Sequence, residues 1–258
     1  MNFKKLAITT AIAVATSGVQ VNAAEPAPTV VLVHGAFADS SSWNGVAEKL
    51  SAKGLKVVAA ANPLRSVADD AQYVSRIVQS IEGPVVLVGH SYGGAVISNV
   101  NVDGRKVKAL VYVGAFAPEI GETVLELSNR FPGSTLGGAL APPVTLSGGG
   151  KDLYIDQAKF RVQFAADVSE TEARVMAIGQ RPIAEAALGE ASQRAVWKQV
   201  PSYFIYGSLD KNIPAAALGF MAERANSRKT VVVEGASHVV MTSQPQKVAQ
   251  LIELAAGM

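Results

Sequence analysis

One serine lies in a sequence that suits a nucleophile. Ser91 is the central residue of the motif GHSYG, residues 89–93, which follows an aliphatic run and precedes another glycine. Between a strand and a helix, a G-x-S-x-G motif holds its serine on a sharp turn with the hydroxyl lifted clear of the sheet. The flanking glycines give room where a Cβ would collide with the neighbouring strand or helix. An ordinary glycine-rich turn is the alternative, but the aliphatic run before the motif favours a nucleophile.

A serine hydroxyl is a weak nucleophile near neutral pH, so it needs a base within hydrogen-bond reach. The chain has only three histidines. His90 directly precedes the serine and is expected to point elsewhere, while His34 ends the first aliphatic run and is expected to support the loop after it. His238 follows the last such run, in the sequence EGASH. An ordinary loop or core histidine is the alternative at this position, but its place in the chain predicts that His238 is the base.

The base in turn needs an acid that fixes its tautomer and stabilises the imidazolium. Asp210 ends the sequence YGSLD directly after the fifth aliphatic run, and the order serine, acid, histidine is the one expected for this motif. Glu119, which follows the fourth run, is the one serious substitute. Three other carboxylates are more simply explained as solvated charges: Asp152, Asp156 and Asp167.

Two backbone amides are predicted to stabilise the negative charge that develops on a substrate carbonyl oxygen. The first is the N–H of Tyr92, immediately after the serine, and the second is the N–H of Ala36 in the loop HGAF, residues 34–37. The side chains of Phe37 and Tyr92 could line a substrate pocket or could equally be packing aromatics. We predict that Phe37 binds substrate.

The elements around these residues alternate between short β-branched runs and helical patterns, which is typical of parallel β-α-β units. Six runs are predicted to be strands: 29–33, 57–61, 84–88, 107–113, 202–206 and 230–234. Apolar residues recur at helical spacing in three segments: Trp43 to Leu50, Leu218 to Ala225, and Val248 to Ala255. Ser243 and Gln246 are spaced as a capping box before the last segment. The fold class is therefore α/β, with about six parallel strands and helices on both faces.

No strand pattern is visible between residues 119 and 200. A structureless loop of this length inside a domain is uncommon. We expect the segment to be an insertion that folds into a small, mostly helical cap over the ends of the strands.

The first 23 residues have the features of a secretory signal peptide: Lys4 and Lys5, an uncharged run, and small residues before a cleavage site after Ala23. A membrane anchor is the alternative, but the run is shorter than the roughly 20 apolar residues that a bilayer requires. The remaining chain, 24–258, carries 21 basic and 21 acidic residues and no cysteine. We therefore expect an exported protein, periplasmic or secreted, with no nucleic-acid partner and no membrane span after processing.

Four sequences in order, LVHGAF, GHSYGG, YGSLD and ASHVV, resemble the α/β-hydrolase superfamily over nearly the whole mature chain. Within it the chain is similar to the compact plant methyl-ester esterases, hydroxynitrile lyases and their bacterial relatives. The resemblance implies a six-stranded parallel core with a helical cap and no cofactor, and we assign no metal ligand. The lyases have Thr after the first histidine and Lys after the catalytic one, where this chain has Gly35 and Val239. Both lyase residues are therefore missing. Haloalkane dehalogenases and epoxide hydrolases have Asp at the position of Ser91, so their reactions are also disfavoured.

These features predict a serine hydrolase that cleaves small-molecule carboxylic esters through an acyl-enzyme. A binding receptor with little turnover on the same fold is one alternative, and an acyltransferase that uses an alcohol instead of water is another. Lactones, aryl esters, methyl esters and amides all stay open as substrates.

Overall fold

The structure is a computed structural model that describes residues 1, 26–101 and 106–258. Apart from Met1, the predicted signal peptide and its cleavage site lie outside the described residues. Within the described ranges, no helix is long and apolar enough to cross a membrane.

The described residues form nine strands and ten α-helices. The strands are β1 (Thr29–Val33), β2 (Val57–Ala60), β3 (Val85–His90), β4 (Val107–Val113), β5 (Val144–Thr145), β6 (Lys151–Leu153), β7 (Ile183–Ala184), β8 (Ser202–Gly207) and β9 (Lys229–Val233). The helices are α1 (Asn44–Ala52), α2 (Val67–Ser80), α3 (Tyr92–Ser98), α4 (Val124–Arg130), α5 (Gln157–Phe164), α6 (Glu170–Gly179), α7 (Glu185–Leu188), α8 (Ala215–Arg224), α9 (Val240–Ser243) and α10 (Pro245–Ala255).

Six strands form one parallel sheet in the order β2-β1-β3-β4-β8-β9. Every residue of β1 and β3 is buried, so both faces of these central strands are covered. Helix α1 packs against α10, and α2 packs against α3. The predicted fold class is confirmed, and each predicted strand differs from the observed one by at most two residues at either end.

One detail of the last helix is wrong in the sequence prediction. Ser243 is the final residue of the short helix α9, and its N–H donates to the carbonyl of Val239. The N-terminal cap of α10 is Gln244, without a side-chain hydrogen bond. Because Ser243 still belongs to the preceding helical turn, it does not form a capping box with Gln246.

The segment 119–200 between β4 and β8, called the cap below, contains α4 to α7 and a three-stranded antiparallel sheet in the order β5-β6-β7. The prediction that it contains no strand is wrong, because strands of two or three residues are too short to show alternation. Most of its regular structure is helical, as expected. Its two ends meet where the indole Nε1 of Trp197 donates to the carbonyl of Pro118 at 2.8 Å.

Candidate active site

Ser91 occupies the turn between β3 and α3 with φ 52° and ψ −122°. This positive φ is rare for a residue with a side chain and costs backbone strain. Three backbone hydrogen bonds hold the turn: Ser91 N–H donates to Val113 O at 3.3 Å, and Ser91 O accepts Phe116 N–H at 3.1 Å and Gly94 N–H at 3.0 Å. Strand β4 and the loop after it therefore hold the strained serine at both its amide and its carbonyl.

The glycines of the motif are required by close packing. A Cβ on Gly89 would lie 2.5 Å from the carbonyl oxygen of Gly93. A Cβ on Gly93 would overlap the carbonyl oxygen of Val33 on β1. The predicted need for room on either side of Ser91 is confirmed.

Asp210 and His238 form a fully buried pair. The Nδ1 atom of His238 lies 2.7 Å from Oδ2 of Asp210, and neither side chain is exposed. Oδ1 of Asp210 accepts the N–H groups of Asn212 at 2.8 Å and Ile213 at 2.9 Å. An ionised carboxylate can only accept, so Nδ1 of His238 is assigned as the donor of this pair, and in the neutral imidazole the free lone pair is then on Nε2. Among the described residues, that Nε2 is buried with no hydrogen-bond partner.

Asp210 after β8 and His238 after β9 are in contact, and Ser91 follows β3 at the same edge of the parallel sheet. A Cβ on Gly114, one residue after the Val113 carbonyl that holds Ser91, would lie 3.6 Å from Asp210 Oδ2 and 3.8 Å from His238 Nδ1. The ring of His90, adjacent to Ser91, lies 4.7 Å from that of His238. The Ser91 hydroxyl and His238 Nε2 share no hydrogen bond in the described part of the chain, and such bonds often tighten only when substrate binds.

The competing carboxylates have other partners. Glu119 accepts a hydrogen bond from the Lys198 ammonium at 2.5 Å, and this bond lowers the pKa of Glu119. Asp210, and not Glu119, therefore contacts the histidine. Asp156 caps α5, Asp152 pairs with Arg65 at 2.7 Å, and Asp167 accepts a hydrogen bond from the Ser237 hydroxyl. The expectation of a simply solvated charge is thus wrong for Asp152, which is buried, while Asp167 is exposed and in addition accepts the Ser237 hydroxyl.

The other two histidines are structural. Burial holds the pKa of His90 well below its usual value, and its Nε2 lies 3.2 Å from the carbonyl oxygen of His238. Burial also lowers the pKa of His34, whose Nδ1 donates to the Gly35 carbonyl at 2.9 Å. Asn62 Nδ2 donates to the His34 carbonyl at 2.9 Å. His34 therefore supports the loop that follows β1, as predicted.

That loop lies against the serine. A Cβ on Gly35 would be 2.6 Å from Ser91 Cβ. The amide of Phe37 donates to the Arg181 carbonyl at 2.9 Å, but within the described ranges the amides of Ala36 and Tyr92 donate to no protein group. Both residues are buried. The two amides predicted for the oxyanion hole are thus free to donate.

A cavity of about 190 Å³ adjoins Ser91. The sheet and its loops contribute Ala36, Phe37, Ser91, Tyr92, Phe116, Asn212 and Ile213; the cap contributes Val124, Leu125, Ser128, Asn129, Ser134, Leu136, Gly137, Leu140 and Leu188. Phe37 and Tyr92 both line this cavity. Tyr92 also has a packing role, because its hydroxyl donates to Asp70 Oδ2 at 2.9 Å.

The sequence reasoning missed the cap residues of this cavity and the two amides that hold Asp210. The amides had a local signal, since an aspartate often accepts N–H groups two and three residues further on. The cap residues had none, because their approach to Ser91 depends on tertiary packing.

A parallel sheet with a serine on its strand–helix turn and a buried histidine–aspartate pair beyond its last strands defines the α/β-hydrolase class. The chain belongs to the alpha/beta hydrolase family, which matches residues 30–251. An α-hydroxynitrile lyase of Arabidopsis thaliana is 26% identical over 84% of this chain and 92% of its own length. Methylesterase 8 of the same plant is 26% identical over 84% and 85%.

Solved structures share the fold. Polyneuridine aldehyde esterase superposes with a TM-score of 0.74 at 19% identity, over 89% of this chain and all (100%) of its own. An extracellular α/β-hydrolase from a Paenibacillus species gives 0.70 at 23% identity, over 88% of this chain and 98% of its own.

Proposed function

We propose that the protein is a serine hydrolase that cleaves small-molecule carboxylic esters through an acyl-enzyme. The observation that carries this proposal is the buried His238–Asp210 pair, whose Nε2 has no hydrogen-bond partner among the described residues. The His238 ring lies 4.7 Å from the ring of His90, the residue before Ser91, which supports Ser91 as its partner. The similarity to methylesterase 8 and to a pimeloyl-[acyl-carrier protein] methyl ester esterase of Aeromonas salmonicida, 23% identical over 89% of the chain, supports ester cleavage.

In the proposed reaction, the Ser91 hydroxyl attacks the ester carbonyl while His238 Nε2 takes its proton. Asp210 keeps the proton on Nδ1 and stabilises the imidazolium. The amides of Ala36 and Tyr92 donate to the oxyanion, and a donor of this kind is typically worth about 10²–10³ in rate. His238 then protonates the departing alkoxide. A water molecule, deprotonated by the same nitrogen, hydrolyses the acyl-enzyme and restores Ser91.

The cavity suits a compact apolar group. Most of its lining is apolar, and its volume is about 190 Å³. We propose that this cavity takes one side of the ester and that Phe37 contacts the bound group.

Cyanohydrin cleavage is the second candidate, because one relative is a hydroxynitrile lyase. The two lyase positions argue against it. A Thr in place of Gly35 would bring its Cβ to 2.6 Å from Ser91 Cβ, so the loop of this chain is packed for a glycine. The lyases that this chain resembles have a lysine directly after the catalytic histidine. This chain has the buried, uncharged Val239 at that position.

A panel of p-nitrophenyl esters with acyl chains of two to twelve carbons tests the proposal on the wild type and on Ser91→Ala. We expect kcat/KM to fall with chain length once the acyl group exceeds the cavity, and Ser91→Ala to lose at least about 10³-fold. Ser98→Ala is the matched control, because Ser98 lies on α3 but bonds to Gly94 O and the Tyr112 hydroxyl. Equal turnover by the wild type and Ser91→Ala would refute the mechanism.

Three further measurements separate the alternatives. Release of cyanide from mandelonitrile faster than ester cleavage would indicate a lyase. Failure of a fluorophosphonate probe to label Ser91 would indicate a receptor. Transfer of the acyl group to added ethanol in preference to water would indicate an acyltransferase.

A further inference from the structure

We propose that Gln163 of the cap is a positioning residue that holds Asp210 in register with His238. The inference rests on the proposed function only in taking these two residues as the acid and the base. It assigns the cap a part in proton transfer in addition to its part in shaping the cavity.

Gln163 lies near the end of α5 and reaches across to the loop that carries the acid. Its Nε2 donates to the carbonyl of Lys211 at 3.0 Å and to Asn212 Oδ1 at 2.8 Å. Its Oε1 accepts the hydroxyl of Thr135 at 2.8 Å. The side chain is buried, so none of these bonds is readily replaced by water.

One of the two residues that Gln163 bonds to on this loop, Asn212, also holds the acid. Asn212 receives the cap hydrogen bond on its side chain, and its backbone N–H donates to Asp210 Oδ1. Lys211, whose carbonyl oxygen accepts a hydrogen bond from Gln163, lies between Asp210 and Asn212 in the chain. A shift of this turn would rotate the carboxylate and change the contact between Oδ2 and His238 Nδ1.

The same end of α5 also contacts the histidine. The ring of Phe164 packs at 5.1 Å from the imidazole of His238. The hydroxyl of Ser237, one residue before the histidine, donates to Asp167 and lies 3.4 Å from the Phe164 carbonyl oxygen. Residues 163–167 therefore contact the acid loop and the histidine loop at once, and they set the distance between the two.

The cap contains a matched control. Gln180 is another buried glutamine with three hydrogen bonds: Oε1 accepts Ile155 N–H, and Nε2 donates to the carbonyls of Ile155 and Ala177. All of these partners belong to the cap. Gln180 therefore matches Gln163 in burial and in its number of hydrogen bonds, but within the described ranges it bonds to neither the acid loop nor the histidine loop.

The experiment compares Gln163→Met with Gln180→Met in the full chain. Methionine keeps the length and flexibility of the side chain but makes no comparable hydrogen bond. For Gln163→Met we expect kcat to fall about 10- to 100-fold with KM within about twofold of the wild type, since small misplacements of catalytic groups reach that size. For Gln180→Met we expect kcat near the wild-type value at a similar loss of thermal stability.

A second readout does not need turnover. The proton on His238 Nδ1 should give a low-field NMR signal in the wild type and in Gln180→Met. In Gln163→Met we expect it to shift upfield and to exchange faster with solvent. Thr135→Val, which removes one hydroxyl bond to Gln163 Oε1, should give a smaller shift in the same direction and serves if Gln163→Met does not fold.

Equal kcat and equal proton signals in the two methionine variants would overturn the positioning role. A wild type that cleaves no ester would overturn the proposed function, while the low-field signal would still decide whether Gln163 holds the pair.

Discussion

Asp70 gives a sharp test of the packing next to the proposed oxyanion hole. It lies on α2, fully buried, where Oδ2 accepts the Tyr92 hydroxyl at 2.9 Å and Oδ1 accepts the Arg65 amide at 3.2 Å. Burial raises the pKa of Asp70 from 3.8 to about 6, although both hydrogen bonds act in the opposite direction. The other charged groups around this pair are the Arg65 guanidinium and the Glu190 carboxylate.

The raised pKa makes stability depend on pH. The folded protein binds the Asp70 proton more tightly than the unfolded chain, so protonation of this residue favours the folded state. Its contribution is fully present below pH 3.8 and is lost as the pH rises through about 6. One pKa unit corresponds to about 1.4 kcal/mol, so the difference between these two values is worth about 3 kcal/mol of unfolding free energy.

Asp70→Asn removes the ionisation but keeps the shape of the side chain. We expect urea unfolding at pH 4 to 8 to show the variant gaining about 2 kcal/mol relative to the wild type between pH 4 and pH 7, because part of the full difference of about 3 kcal/mol is realised only below pH 4. Asp69→Asn, an exposed change one residue away, controls for the loss of one negative charge from the first turn of α2. Parallel stability curves for the wild type and Asp70→Asn would refute the reasoning.

The remaining predictions concern the proposed triad and the start of the chain. Asp210→Asn should lower kcat about 10⁴-fold by favouring the wrong imidazole tautomer, while Glu119→Gln, which breaks only the pair with Lys198, should leave kcat near the wild-type value. The reverse pattern in steady-state kinetics would make Glu119 the acid. His238→Ala should be nearly as severe as Ser91→Ala, because the residues act as a unit; residual kcat above about 1% of wild type would contradict this. Expression in a bacterium that secretes through its inner membrane should yield a mature chain that begins at residue 24, and N-terminal sequencing of an uncleaved cytoplasmic product would contradict the export proposal.

The sheet and the contacts of Asp210 and His238 were predictable because their signals are local. Each central strand is a buried run rich in β-branched residues, and the carboxyl ends of parallel strands meet at one edge of the sheet. Residues placed just after those ends, such as Asp210 and His238, are therefore brought together by topology alone.

The sequence predicted where the cap lies in the chain, but not its strands or its contacts with the catalytic loops. Its strands, such as Val144–Thr145, are shorter than any period that a sequence can show. The contact between Gln163 and Asn212 joins residues 49 positions apart through side-chain amides, which leave no pattern in composition or hydropathy. The partners of Asp152 and Asp167 were missed for the same reason.

The two ends of the cap leave and rejoin the sheet side by side. Trp197 bonds to Pro118 there, and the Arg224 guanidinium of α8 holds Glu122 through two hydrogen bonds of 2.9 Å. A foreign cap grafted at this junction would enter and leave the sheet at the same two points, but it would also have to replace the bonds from Phe37 to Arg181 and from Arg65 to Asp152. Such a chimera would have a new substrate selectivity. Its kcat would be low unless the foreign cap also contained a side chain that forms hydrogen bonds with Lys211 and Asn212.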